Sequence, residues 1–473
     1  MLSEWRVEDD FSGAVPNEYF IRKLKKDTNL VTTLHGSWLI LNDDEVEKLE
    51  NGDVGGFLFR ELERTGIILT KKSLSFVINS IRMNNHMLKE WCSFWVIGIT
   101  DRCTRACKYC HASAKFCPSS QKSKISELDG EMKKETADKI LDFIFSTPNN
   151  RNEIIIEGGE TLLRWDLIKH IFKRAKSLSK KHGKRLRISL GTNLDLMTDD
   201  IAREMKEIGM TTLCTSLDGP KKIHEKMRGG PYENIIYWTK RLENKYGIRV
   251  SHLPVLTKYT VENVTPKDFV DCFLEIGEEI VFFKPIRPTG RADDKELWLE
   301  PSEYFQFWKD GIEYLLELNK KGVRISERLT LNLVKNILSP WRKSMCYQRP
   351  CGAGFSILSF DTKGNVVACD SLRALGDIFK LGNVYEDNPL DVRRRASNLI
   401  ITPSIIPECS SCAYSSFCST CYASNMGEGF DVYPKYSNFD CKINKMQLDY
   451  LFKKMSEGGE DAKILKRWAR ERM

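Results

Sequence analysis

The chain has 473 residues, 41% of them hydrophobic, with 73 Lys and Arg against 65 Asp and Glu for a net charge of +8. That apolar fraction excludes global disorder, and no apolar run reaches the ~18 residues that a membrane span needs. Met1 to Asp10 is charged instead of forming an apolar export signal, so the expectation is a cytoplasmic protein of about three domains with no membrane partner. The positive excess is small and spread along the chain, which speaks against nucleic acid as a partner.

Taken in chain order, β-branched and aromatic residues between turn signals predict strands at Tyr19–Arg22, Leu30–Thr33 and Ser37–Leu41. Asp43 and Asp44 are expected to open a short helix, and Phe57–Arg64 to form a second one. Three strands followed by helices suit a small winged-helix-like module over residues 1–90. From Phe94 the pattern changes to strands alternating with helices. Strands are expected at Phe94–Thr100, Glu153–Glu157, Leu186–Thr192, Thr211–Ser216, Val250–Pro254 and Glu279–Lys284. Helices are expected at Met132–Phe145, Arg164–Lys181, Asp199–Ile208, Glu233–Lys245 and Pro266–Ile276. Such alternation implies βα units on a parallel sheet, curling into an open barrel whose site gathers at the C-terminal ends of the strands. The fold class is therefore α/β. Beyond Arg324 regularity fades, and residues 325–445 are rich in turns. The tail, 446–473, reads as two helices broken at Gly458-Gly459, the last one basic and amphipathic.

The 15 cysteines decide the chemistry. A reducing compartment keeps thiols free of disulfides, and buried incidental cysteines would be scattered. Here Cys103, Cys107 and Cys110 are grouped, as are Cys346, Cys351 and Cys369, and as are Cys409, Cys412, Cys418, Cys421 and Cys441. Only Cys92, Cys117, Cys214 and Cys272 stand apart. Grouped thiols of this kind point to zinc or iron–sulfur ligation. A structural zinc site closes with a fourth ligand. The spacing C-x3-C-x2-C at Cys103–Cys110 offers three, which leaves one corner of a four-iron cubane open.

With Tyr109 before its last cysteine, this motif resembles the signature of radical S-adenosylmethionine (SAM) enzymes. The resemblance implies a [4Fe–4S] cluster on Cys103, Cys107 and Cys110, with SAM on the fourth iron. One electron then cleaves SAM to a 5′-deoxyadenosyl radical that abstracts substrate hydrogen. It extends to Gly158-Gly159-Glu160 after the second strand, similar to the family's GGE motif, which receives the SAM amino group. It extends also to Thr192-Asn193 at the end of the third strand, and to Ser216-Leu-Asp218-Gly-Pro with His224 and Arg228 after the fourth. By resemblance Ser216 touches the ribose and Arg228 the SAM carboxylate. Lys284-Pro-Ile-Arg-Pro-Thr-Gly-Arg291 after the sixth strand is again like the peptide-modifying subgroup.

The later cysteines resemble the SPASM extension of peptide maturases, which carries two auxiliary [4Fe–4S] clusters. Cys351 is followed by twelve residues, Gly364, four residues and Cys369; Cys409-x2-Cys412-x5-Cys418-x2-Cys421 and Cys441 come later. Two residues, Ser419-Thr420, separate Cys418 from Cys421 where the family pattern has three. The family's pairing implies Cys346, Cys351, Cys369 and Cys421 on an inner cluster and Cys409, Cys412, Cys418 and Cys441 on an outer one. Asp370 stands where the sulfatase-maturing branch has an Asp that accepts a substrate proton.

The resemblance covers nearly the whole chain: a precursor-recognition-like module at 1–90, a partial (βα)6 radical SAM barrel at 91–324, a SPASM domain at 325–445 and a helical tail at 446–473. Leu34-His-Gly-Ser-Trp-Leu-Ile-Leu-Asn-Asp-Asp-Glu45, Cys110-His-Ala-Ser-Ala114 and Cys418-Ser-Thr-Cys421 look most like maturases of the His-Xaa-Ser system. The implied function is modification of a ribosomally made precursor peptide by crosslink, thioether or oxidation. The implied partners are that peptide, a low-potential donor such as flavodoxin or ferredoxin, and a second maturase. The alternatives are a formylglycine-generating sulfatase maturase and a non-catalytic iron–sulfur electron carrier. An electron carrier has no use for a SAM pocket.

Overall fold

A computed structural model describes residues 13–117, 129–339, 346, 351–399, 406–429 and 438–470. Strand labels here follow chain order. In the N-terminal region β1 (Tyr19–Lys25), β2 (Thr28–Thr33) and β3 (Trp38–Leu41) form an antiparallel sheet in sequential order. In the central region β4 (Phe94–Gly98), β5 (Arg151–Glu157), β6 (Arg185–Thr192), β7 (Thr212–Thr215) and β8 (Arg249–His252) form a parallel sheet in which each strand pairs with the next. The connecting helices Lys134–Ser146, Trp165–His182, Asp199–Glu207, Tyr232–Arg241 and Pro266–Leu274 fall where the periodicity places them. Their apolar stripes meet the sheet. Trp95, Ile97, Ile154, Ile156, Leu190 and Leu213 are buried in one continuous core with Ile140, Ile168 and Phe172 from the helices.

The sixth strand differs from expectation. Only Ile280–Val281 (β9) is extended and paired, and its partner is Ser326–Glu327 (β10), parallel. Past the end of the fifth strand, Leu256 is bridged to Pro285. Pro285 and Pro288 interrupt the segment, and proline lacks the N–H that a ladder needs. Glu327 closes the joint. Its buried carboxylate accepts from the N–H groups of Phe283, Leu329 and Thr330 at 2.7–3.0 Å, which also caps helix Arg328–Leu338.

The sheet continues on its other side into the C-terminal region. Ile357–Phe360 (β11) pairs parallel with β4, and Asn365–Val367 (β12) and Lys380–Asn383 (β13) follow antiparallel. The stretch beyond Arg324 is thus joined to the central sheet by backbone hydrogen bonds.

In the N-terminal module, Asn42 and not the aspartates caps helix Asp43–Asn51. Its side chain accepts from Glu45 N while Glu45 reaches back, a capping box. Helix Gly56–Thr65 matches its predicted span, and a third helix, Lys71–Asn84, follows it. The module is docked firmly. Trp38 donates from Nε1 to the Ile337 carbonyl at 2.7 Å and meets Phe452 edge-on at 5.3 Å. Thr32 donates to the Ala413 carbonyl, and Arg22 pairs with Asp449 at 2.9 Å. The tail forms helices Phe439–Glu457 and Gly459–Arg470. Trp468 and Leu465 are buried, and the second helix lies on Arg328–Leu338. Trp38→Ala is expected to cost about 3 kcal/mol of stability, read from denaturant unfolding. A midpoint equal to wild type would show that Trp38 does not hold the module.

Candidate active site

The C-terminal ends of the parallel strands open into a cavity. Cys103, Cys107 and Cys110 line it on the loop after β4. Burial, then Glu160 and the other two thiols, pushes the Cys103 thiol up to about 12. A metal binding there must displace its proton. Tyr109, Gly158, Gly159, Asn193, Ser216 and Arg228 line the cavity as well, and so does Asp370 from the C-terminal region. Glu160 and Asp218 do not line it. Both are fully buried behind its wall.

The glycine pair is required by close packing. A Cβ on Gly159 would lie 1.9 Å from the Arg102 carbonyl oxygen, and one on Gly158, whose φ is 152°, 2.6 Å from that of Thr100. Glu160 then accepts from Thr192 Oγ1 at 2.6 Å, Asn193 N at 2.7 Å and Leu162 N at 2.9 Å. It ties the second strand's turn to the end of the third. Asn193 continues outward: Nδ2 donates to Thr104 Oγ1 at 2.9 Å and lies 3.8 Å from Cys103 Sγ.

Asp218 organises the opposite wall. It accepts from Arg228 at 2.8 Å and Val255 N at 3.1 Å, and from the Tyr109 hydroxyl. The Arg228 guanidinium lies 5.3 Å from the Tyr109 ring centroid. Arg228 Nε and Thr215 Oγ1 are buried without hydrogen-bond partners on residues that line the cavity. Unpaired buried donors are costly, so this wall suits a ligand bringing a carboxylate and hydroxyls.

Arg105, inside the three-cysteine loop, is a residue the sequence did not single out. It holds Asp195 through Nε and Nη2 at 2.8 and 2.6 Å and donates to His224 Nε2 at 2.9 Å. Burial first, with Arg228 and Arg105 nearby, holds the His224 imidazole down at about 4, neutral and able to accept. Its signal was present only as an Arg between two cysteines, which is ordinarily a solvated side chain.

At the other end His111 Nε2 meets Asp370 Oδ2 at 3.1 Å, and Arg373 pairs with Asp370 Oδ1 at 3.1 Å. Glu157 joins them, its carboxylate within 4.8 Å of the His111 and Asp370 ligand atoms. Burial and then the Asp370 charge raise the Glu157 carboxyl to about 7. Burial pushes Asp370 up too, but Arg373 and His111 outweigh it and hold Asp370 well below the usual carboxylate range.

Among the later thiols, Cys346, Cys351, Cys369 and Cys421 act on one another. Burial, then Cys421 and Cys346, pushes Cys351 up to about 12. Burial, then Cys346 and Cys351, raises Cys369. Cys409 and Cys418 are buried and Cys412 is partly buried in the segment 406–421, and Cys441 sits in the first turn of Phe439–Glu457. Cys92, Cys117 and Cys272 are buried and Cys214 is partly buried, outside these groups.

Residues 97–265 match the model of the Radical SAM superfamily, so that stretch is a radical SAM domain, and the family implies a [4Fe–4S] cluster and SAM. Fe-coproporphyrin III synthase of Methanosarcina barkeri is 25% identical over 270 residues, 54% of this chain and 59% of that protein, under two thirds of the relative's length. AdoMet-dependent heme synthases also match. Among solved structures, native anSMEcpe with bound AdoMet and Cp18Cys peptide has a TM-score of 0.65 at 19% identity, covering 81% of this chain and 100% of that one. Streptococcus suis SuiB bound to precursor peptide SuiA has a TM-score of 0.56 at 15% identity, covering 89% and 99%. At these identities the likeness is one of fold. No helix among the described residues is long and apolar enough to cross a membrane.

Two outcomes follow from this geometry. Asp218→Asn takes the charge from beneath Arg228, and SAM affinity is expected to fall about 10- to 100-fold, the worth of a charge-assisted bond. Unchanged affinity in a SAM titration would remove Asp218 from the binding wall. The second concerns pH. The Glu157 carboxyl sits higher folded than unfolded, so its contribution to stability is full below ~4.5 and is lost as pH rises through about 7. Glu157→Gln should therefore raise the melting temperature more at about pH 8 than at about pH 5. An equal shift at both would mean that burial of Glu157 is not strained.

Proposed function

We propose that this radical SAM protein is a peptide maturase that removes hydrogen from a ribosomally made precursor to install a crosslink, thioether or oxidation. One observation carries the reading. Backbone pairing of β11 with β4 sets Asp370 into the wall of the cavity that the three loop thiols line, with the thiol of Cys369 beside it. A radical site and a second thiol group therefore share one neighbourhood. Two folds of the same kind, anSMEcpe and SuiB, are known with peptides bound.

In this reading Cys103, Cys107 and Cys110 hold the [4Fe–4S] cluster, and Arg228 and Ser216 hold SAM. Together cluster and SAM supply a hydrogen-abstracting 5′-deoxyadenosyl radical. The protein's own work is orientation. Asp218 aims Arg228 and Tyr109; Glu160 and Asn193 lock the cysteine loop; Gly158 and Gly159 let the loop approach. Cys346, Cys351, Cys369 and Cys421 would ligate one auxiliary cluster, and Cys409, Cys412, Cys418 and Cys441 another. A flavodoxin or ferredoxin would supply the electron.

The N-terminal sheet is the proposed reader of the precursor, by strand addition. Its docking through Trp38 and Thr32 means that removing it would also bare the C-terminal region, so charge-reversal variants on the sheet are the cleaner probe.

The relatedness to AdoMet-dependent heme synthase of Methanosarcina barkeri favours a second reading, a porphyrin side chain as substrate. One experiment separates the two. Anaerobically reconstituted protein is given SAM, dithionite and either a pool of synthetic peptides or Fe-coproporphyrin III. Peptide products lighter by two hydrogens, with about twelve irons per chain, support the maturase. Loss of carboxyl groups from the porphyrin alone would replace it. About four irons per chain would sink the auxiliary clusters.

A further inference from the structure

Strand β5 ends by delivering Glu157 to the cavity, one residue before Gly158. The space around it is cleared by glycine on both neighbouring strands. Gly98 is its register partner on β4, and a Cβ on Gly191 of β6 would lie 3.5 Å from Glu157 Cγ. Gly98 admits a further group. A Cβ there would stand 1.8 Å from Arg373 Nη1, so the arginine from the C-terminal region occupies the room that glycine leaves.

The two carboxylates in this corner are placed differently. Asp370 is hydrogen-bonded to His111 through Oδ2 and ion-paired with Arg373 through Oδ1, both at 3.1 Å. Among the described residues no hydrogen bond or ion pair reaches the Glu157 carboxylate, which is partly exposed to the cavity. The corner does not ask for a divalent cation, because Arg373 and Lys284 already offset both anions. A free carboxylate beside an anchored one is the arrangement in which environment splits two acids into different roles. The shift of Glu157 toward neutrality agrees with a group matched to proton transfer at working pH.

We propose that Glu157 takes a proton from the target side chain, and that Asp370 is a positioning residue that fixes His111 and Arg373 around it. The inference rests on the peptide-modifying reading and gives its substrate a chemical class. The target residue carries an O–H, S–H or N–H donor next to the carbon whose hydrogen is removed. In the step that X–H bond breaks, the proton forms an O–H bond on Glu157, and the electron pair stays on X. Charge and atoms balance with no oxidant or reductant. Negative charge on X weakens the adjacent C–H bond, which is the bond a hydrogen-abstracting radical must break.

The test uses the reconstituted full chain with SAM, dithionite and synthetic peptides that between them place every side chain centrally. Product formed per SAM cleaved is read against pH for wild type, Glu157→Gln, Glu157→Asp and Asp370→Asn, each matched for iron content. The groups facing Glu157 are His111 after β4, Cys214 on β7, Lys284 after β9, and Asp370 and Arg373 after β12. Wild type should gain product through a limb near pH 7. Glu157→Gln should lose that limb and at least ~100-fold in product per SAM, with partial rescue by Glu157→Asp. Asp370→Asn removes the charge that raises Glu157, so the limb should persist and move to lower pH. Equal product from Glu157→Gln overturns the inference, as does a limb that disappears with Asp370→Asn and stays with Glu157→Gln. Wild type that cleaves SAM and modifies no peptide overturns the maturase reading, and this inference falls with it.

Discussion

A parallel sheet built from βα units has an open first edge, and here that edge is β4. Unpaired N–H and C=O groups along Phe94–Gly98 would be a liability beside an apolar core. Pairing with β11 satisfies them. Much else depends on that ladder. It fixes the C-terminal region in register with the barrel, since a slip of one residue would turn Leu358 and Phe360 away from the core. It also sets the height at which the chain after β12, with Cys369, Asp370 and Arg373, returns over the cavity. Trp95 stacks on Phe360 across the joint at 6.1 Å, so apolar packing and backbone bonding agree.

Charge is placed with similar economy. Three buried ion pairs or clusters stand in or behind the cavity wall. Arg228 has Asp218, Arg105 has Asp195, and Asp370 has His111 and Arg373. Breaking one partner of such a pair costs far more than the pair contributes. That wall is therefore firmly held, and among the polar atoms on it with spare bonding capacity are Arg228 Nε, Thr215 Oγ1, Thr289 Oγ1 and the Glu157 carboxylate. Those are the places where a ligand finds work to do.

Much of the parallel sheet was legible in the sequence because its signals are local. Strand-to-helix alternation follows from periodicity, and the three-cysteine loop and Gly158-Gly159-Glu160 are contiguous. The joining of β11 to β4 was not legible, because pairing between strands so far apart leaves no local mark. The strand expected at Glu279–Lys284 is shortened to Ile280–Val281, ahead of Pro285, which lacks the N–H that a ladder needs. Asn42, Asp43 and Asp44 can all cap, so local chemistry does not choose Asn42 over the aspartates beside it. Glu157 looked like the polar end of a strand. Its isolation among glycines on adjacent strands, Gly98 and Gly191, appears only when register is known. Asp370 was visible by its place after Cys369, but its two ion pairs, which engage both its oxygens, come from residues 259 positions before it and three after it.

Closure of β4 by β11 also dictates an order of assembly. The strands of the parallel sheet from β4 to β8 are synthesised first, and their edge stays unpaired until the chain has run on through Phe360. Contacts of such wide sequence separation form late and slowly. Until then Arg373 is absent from the room beside Gly98, Asp370 is absent from His111, and the cavity lacks one wall. A nascent sheet thus lacks the wall that carries Asp370, and the cavity is complete only when the last third of the chain has been laid against Phe94–Gly98.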